Sequence, residues 1–206
     1  VQECQGSLLN HRGEQDADTI GHFYYSGGHM QQHAVLMGLG RLDNQGLALA
    51  IKRELNPRGS NWDLSYSQPQ LAGGAQSSAQ GYGHFLRGML AGDLKMGALL
   101  GSHPVCTNPK TCPGDALKTP IPTTESWHYS LGHWVEDDAA VGDGAFSSPG
   151  AFGFYPWIHA NRQYYGILAR EDHQGVLLGD PDTKPAIRSV SCGRLIRQAW
   201  ERGAIR

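Results

Sequence analysis

Two histidines, His29 and His33, stand one helical turn apart, the spacing at which a helix offers two imidazoles to one metal ion. The zinc-peptidase pattern with this spacing needs a glutamate after the first histidine as general base, and Met30 stands there instead. The pair therefore reads as ordinary surface or core histidines. A nucleophile is no easier to find. There is no G-x-S-x-G elbow, and the one Ser/Thr-x-x-Lys match, Thr107-Asn108-Pro109-Lys110, puts a proline inside the turn that would have to be helical. No glycine-rich phosphate loop ending in Lys-Ser or Lys-Thr occurs among the 28 glycines. The acidic run Glu136-Asp137-Asp138 lacks calcium-loop spacing and reads as a solvated turn.

Cys106 and Cys112 bracket a short proline-containing segment, which suits a local disulfide and, through it, an oxidising compartment. Their spacing is not C-x2-C and no second pair follows, which argues against metal binding. The 206 residues fit one ordinary domain, and 39% hydrophobic with 17% charged residues marks a globular chain. A net charge of −2 with scattered basic residues offers no footprint for nucleic acid or an anionic membrane. The longest apolar stretch, Phe85 to Leu100, is broken by Arg87, Asp93 and Lys95 and is too short to span a bilayer. The start, Val1-Gln2-Glu3-Cys4, has no signal-peptide pattern, so any such segment has been removed or lies further upstream.

The elements that must position any site follow from periodicity. Val1 to Gly21 is polar and aperiodic. Helices are expected over His29–Leu39 and Asn44–Leu55, the second stopped by Asn56-Pro57-Arg58-Gly59. Trp62 to Gln70 reads as irregular or strand-like, and Leu71-Ala72-Gly73-Gly74 as a turn. Ser77 or Ser78 caps a helix whose stripe is Tyr82, Phe85, Leu86, Met89 and Leu90. Gly101 to Thr124 reads as a long loop, and Trp127 to Val135 as one strand. Three β segments follow, Ala145–Ser148, Phe152–His159 and Gln163–Glu171, with Ala160-Asn161-Arg162 as a hairpin turn. An amphipathic helix closes the chain over Ser189–Arg202, with Val190, Leu195, Ile196 and Trp200 as its inward side. Helices, then antiparallel strands, then a terminal helix define an α+β chain. The helical and loop region covers 1–140 and the strands with the last helix 141–206.

Three stretches share an order. Tyr24-Tyr25-Ser26-Gly27-Gly28 resembles the Tyr-x-Asn motif of the penicillin-binding, serine β-lactamase-like hydrolases, with Tyr25 at the tyrosine position. Leu71-Ala72-Gly73-Gly74-Ala75-Gln76-Ser77-Ser78 and the helix after it resemble that family's "AGGL.ST" turn and helix. Ser148-Pro149-Gly150, the strand pair behind it and the terminal helix resemble its strand motif. The resemblance is collinear from about Phe23 to Arg202 and points to the C-terminal portion of a class C β-lactamase or esterase relative.

It implies a DD-peptidase-like fold and a covalent mechanism without cofactor. A serine from an S-x-x-K segment attacks an ester or amide, and that segment is not in this chain. Tyr25 serves proton transfer once a neighbouring lysine's charge assists its phenol, and the backbone N–H of Ala151 forms half of an oxyanion hole. Gly27, Ser148, Gly150 and Phe152 fall at substrate-binding positions, while Trp134, Phe154 and Tyr155 either line the acyl pocket or pack in the core. Gly27 replaces the motif asparagine, and Ser148-Pro149 replaces a cation and a hydroxyl residue, which argues against recognition of a β-lactam carboxylate. A secreted or periplasmic esterase or amidase is expected, partnered by the N-terminal fragment of its precursor. Cys4 and Cys192 are left to bond that fragment or each other. A non-catalytic binding module of the same fold is the alternative.

Overall fold

The computed structural model describes residues 1, 17–56, 59, 61–174, 176 and 181–203. They form two compact units, one of Val1–Gly21 with Tyr25–Gly88 and one of His22–Tyr24 with Met89–Arg206, where sequence reading expects a single domain. Most of the polar lead-in, with Cys4, and the proposed stop residues Pro57 and Arg58 lie outside the described residues.

The first unit is helical. Helix α1 spans Gly28–Ala34 and continues as a π-helical turn, Val35–Leu39, that ends with Gly38 at φ +81°, so the single helix expected over 29–39 is divided. Helix α2 covers Asn44–Leu55 as expected, and the Asp43 side chain accepts the Gly46 N–H at its start. Its Leu47 packs with Ala34 and Val1 in a small core. The buried Gln31 carboxamide ties loops to that core, donating to the carbonyls of Val1 and Pro69 and accepting from the Leu71 N–H. A two-residue ladder joins β2 (Ser65–Tyr66) to β3 (Ala75–Gln76), and Ser78 caps α3 (Ala79–Leu90) through the Gly81 N–H.

The second unit is a six-stranded antiparallel sheet with a helix packed on it. After the short helix α4 (Met96–Leu99), its strands are β4 (Val105–Cys106), β6 (His128–Ser130), β7 (His133–Glu136), β8 (Ala145–Ser147), β9 (Tyr155–Ile158) and β10 (Tyr165–Leu168). They lie in the order β10-β9-β8-β7-β6-β4. A separate parallel ladder pairs β1 (Phe23–Tyr24) with β5 (Ala116–Lys118). Two expectations are corrected here. The stretch 101–124 holds two short strands as well as loop, and 127–135 is a hairpin. Leu131 and Gly132, at φ 42° and 92°, make the positive-φ turn that joins β6 to β7. Strand structure therefore begins well before residue 141.

The core between the sheet and helix α5 (Pro185–Glu201) contains Trp127, Trp134, Tyr155, Trp157, Ile187 and Val190. The expected inward stripe of α5 is corrected too. Val190 is buried, but Leu195 is 66% and Trp200 58% exposed, and Ile196 faces solvent with them. Arg194 and Arg197 take the buried positions, and Gly193 lets the helix close on the sheet, because a Cβ there would stand 2.4 Å from the Tyr155 ring.

The buried arginines are held by carboxylates from distant segments. Arg197 donates to Asp143 at 2.5 and 3.1 Å, to Glu136 at 3.0 Å and to the Tyr155 hydroxyl at 2.7 Å, and that hydroxyl donates to Glu136 at 2.5 Å. Arg194 grips Glu125 with two hydrogen bonds, 2.7 and 3.1 Å. Glu136 is thus not in a solvated turn: it is a fully buried β7 residue. Its neighbours are local braces, Asp137 to the His128 ring and Asp138 to the N–H groups of Ser126, Ala140 and Val141.

The Cys106–Cys112 disulfide forms as expected and closes a loop around two buried side chains. Thr107 donates to the Trp127 carbonyl, and Asn108 donates to the carbonyls of Thr123 and Glu125. Thr107 to Lys110 is therefore a structural clamp and not a nucleophile motif.

Removing one partner from a buried ion pair strands a charge, so Arg197→Ala should lower the unfolding free energy in urea by about 3–5 kcal/mol. His133 supplies a pH test. Its Nε2 accepts the Gly101 N–H at 3.0 Å, and burial pushes its pKa down to about 4. The folded protein holds it neutral, whereas the unfolded chain protonates it near pH 6.5. Its contribution is present above pH 6.5 and is lost as the pH falls towards 4. The stability difference between wild type and His133→Gln, followed in urea at pH 7, 5.5 and 4.5, should therefore shift in favour of the variant with acidification.

Candidate functional site

The segment after β8 builds the best-defined turn on the sheet. The Ser148 N–H still bonds the Pro156 carbonyl at 3.2 Å, closing the β8–β9 ladder. The Gly150 N–H then bonds the Phe154 carbonyl at 2.7 Å, and the Gly153 N–H returns to the Gly150 carbonyl at 2.9 Å. This is a three-residue hairpin loop, Ala151-Phe152-Gly153, with Gly153 at φ +97° as its bulge residue. Because the Gly150–Ala151 peptide is trans and its carbonyl points into the turn, the Ala151 N–H points out of it. An outward amide at an exposed hairpin tip can donate to an oxyanion.

The hairpin is pinned from both sides. The Asp172 N–H donates to the Phe152 carbonyl at 2.8 Å, and the buried Ser189 hydroxyl of α5 donates to the Gly153 carbonyl at 2.8 Å. The exposed Phe152 ring lies 4.6 Å from the His173 imidazole, which is paired with Glu171 at 2.9 Å. Among the other lining candidates, Trp134 and Tyr155 are core residues and Phe154 is half-buried. Ser148, Gly150, Ala151 and Phe152 thus come together in one loop.

Tyr25 and Gly27 belong to the first unit and the loop to the second. Tyr25 follows β1 directly. The residue is 39% exposed, yet desolvation of the phenol raises its pKa above the ordinary value. Gly27 occupies the N-cap position of α1 without a capping side chain, and the Gly28 N–H donates to Ser26 Oγ at 3.3 Å. His29 has a pKa lowered by burial, and among the described residues no group of three His, Cys, Asp or Glu side chains is placed to hold a metal ion. Cys192 is an exposed free thiol on α5.

Sequence reading picks out Ser148 to Phe152 but misses Gly153, Asp172 and Ser189, which fix how the loop is held. Ala-Phe-Gly-Phe between two strand patterns carries a usable sign of the bulge in its glycine. Nothing local marks Ser189.

No protein-family model, curated protein or solved structure matches this chain. Its fold defines the class: an α+β protein with a six-stranded antiparallel sheet and a C-terminal helix packed against it. Among the described residues no helix is long and apolar enough to cross a membrane.

An alanine at 153 would have to adopt a positive φ with its Cβ 3.2 Å from Ser189 Oγ and 3.4 Å from Pro185. Gly153→Ala should therefore cost about 1–3 kcal/mol in thermal or urea unfolding, while Gly114→Ala, an exposed site with open space around it, should be nearly neutral.

Proposed function

We propose that this chain is the tyrosine- and sheet-bearing portion of a serine hydrolase of the β-lactamase-related class, acting on a small ester or amide through an acyl-enzyme. The observation that carries the reading is the Ser148–Gly153 hairpin, whose internal hydrogen bonds turn the Ala151 N–H outward at the end of β8. In this reading the Ala151 N–H is half of the oxyanion hole and Ser148, Gly150 and Phe152 flank the substrate, while proton donation is assigned to Tyr25 from the motif resemblance alone. The attacking serine and its lysine come from an S-x-x-K segment that is a separate piece of the same precursor. Two surfaces of the second unit support such a partner: β10 is the last strand in the sheet order, and beside it α5 exposes Leu195, Ile196 and Trp200. The Cys106–Cys112 disulfide supports a secreted or periplasmic setting.

Ser148 stands where a cation would be needed to hold a β-lactam carboxylate, which directs the reading to esterase or amidase chemistry. A second reading, a binding module that keeps this fold without catalysis, is favoured by Gly27 and Ser148, which stand where the family pattern has an asparagine amide and a cation.

Denaturing mass spectrometry of the protein from its native source, with and without reductant, should reveal a second polypeptide containing S-x-x-K beside this 22.4 kDa chain. A fluorophosphonate probe should label that serine, and Tyr25→Phe should slow ester turnover by about a hundredfold or more. A lone, monodisperse chain that no serine probe labels would leave the binding module as the function.

A further inference from the structure

We infer that Ser189 is a positioning residue for the Ala151 amide, acting from α5 through the carbonyl of Gly153. The inference rests on the hydrolase reading for its purpose but on geometry for its existence. Ser189 is buried in the fifth position of α5, and a serine there would ordinarily bond the carbonyl four residues back. Ser191 does so, donating to the Ile187 carbonyl at 3.1 Å. Ser189 instead reaches off the helix to the Gly153 carbonyl at 2.8 Å.

That carbonyl belongs to the bulge residue of the hairpin, whose own N–H bonds Gly150 and so sets the Gly150–Ala151 peptide plane. Two hydrogen bonds therefore separate the Ser189 hydroxyl from the direction of the Ala151 N–H. Pro185, at the start of α5, closes the other side, with its carbonyl oxygen and Cβ each 3.4 Å from where a Gly153 Cβ would stand. The helix itself does not depend on Ser189, because Arg194 and Arg197 anchor it further along. The hydroxyl thus serves the loop more than the helix.

Amide exchange measured by NMR on this chain, as wild type, Ser189→Ala and Ser189→Thr, tests the geometry without any catalysis. Loss of one buried hydrogen bond should speed exchange at Gly150 and Gly153 about five- to tenfold, leave Val190 to Arg197 unchanged, and be reversed by threonine. In the hydrolase joined to its serine-bearing segment, Ser189→Ala should lower kcat for a nitrophenyl ester by about the same factor at constant KM, with threonine recovering it. Unchanged exchange in the hairpin would overturn the proposal, as would equal acceleration along all of α5, which would mean that Ser189 serves the helix alone. A raised KM with kcat retained would overturn it too. If the hairpin responds as expected but the wild-type assembly forms no acyl-enzyme, the hydrolase reading fails, and positioning for catalysis falls with it while the coupling between Ser189 and the hairpin stands.

Discussion

The second unit depends on how a fully buried carboxylate, Glu136, is kept in company. An ionised glutamate out of water costs several kcal/mol unless its oxygens are bonded and its charge is met. Arg197 and the Tyr155 hydroxyl supply both, and Arg194 lies 3.5 Å away. The guanidinium of Arg197 is completed in turn by Asp143 and stands over the rings of Tyr155 and Trp157. Each member is tolerable only while the others are present. A one-residue rotation of α5 would carry both guanidinium groups off their carboxylates, so the network sets the helix's rotation and its axial position together.

This fixes the hairpin beyond it. With the middle of α5 tied to β7 by charge, to β9 through the Tyr155 hydroxyl and close-packed through Gly193, its first turn has little freedom over the sheet. Pro185 and Ser189 in that turn then meet the Ala151-Phe152-Gly153 loop at a set distance. The loop is exposed, yet its carbonyls at Phe152 and Gly153 are both engaged, so it is a surface feature with an interior support. Exposed groups held from beneath in this way can act without first being ordered by what they bind.

What could be read from residues alone follows the range of the forces. Helix α2, the cap at Ser78, the β9–β10 hairpin and the short disulfide are local, and each was visible in spacing or turn chemistry. The hairpin of β6 and β7 was not, because its turn is Leu131-Gly132 where Asn-Gly would be the familiar sign, and its strands have only three and four residues. Helix α5 misled most. Apolar periodicity put Leu195, Ile196 and Trp200 inside, but the partners that bring Arg194 and Arg197 inward lie 54 to 69 residues away along the chain. The run Glu136-Asp137-Asp138 looked like surface for the same reason, since no local pattern reveals that a carboxylate has a guanidinium waiting behind it. Of the candidate site, the loop residues were legible and their supports were not.

The Cys106–Cys112 ring is too small to add much by restraining the unfolded chain, about 2 kcal/mol from loop closure. Its greater effect is spatial. By holding Asn108 under residues 123–125 it shapes the segment that presents Glu125 to Arg194, some seventy residues further on. The bond thus converts the oxidation state of the surroundings into the fit of the last helix. A chain produced where thiols stay reduced would keep its strand ladders and present a looser C-terminal helix. Material from two expression hosts could therefore share one sequence and mass, apart from two hydrogens, and still behave as two preparations.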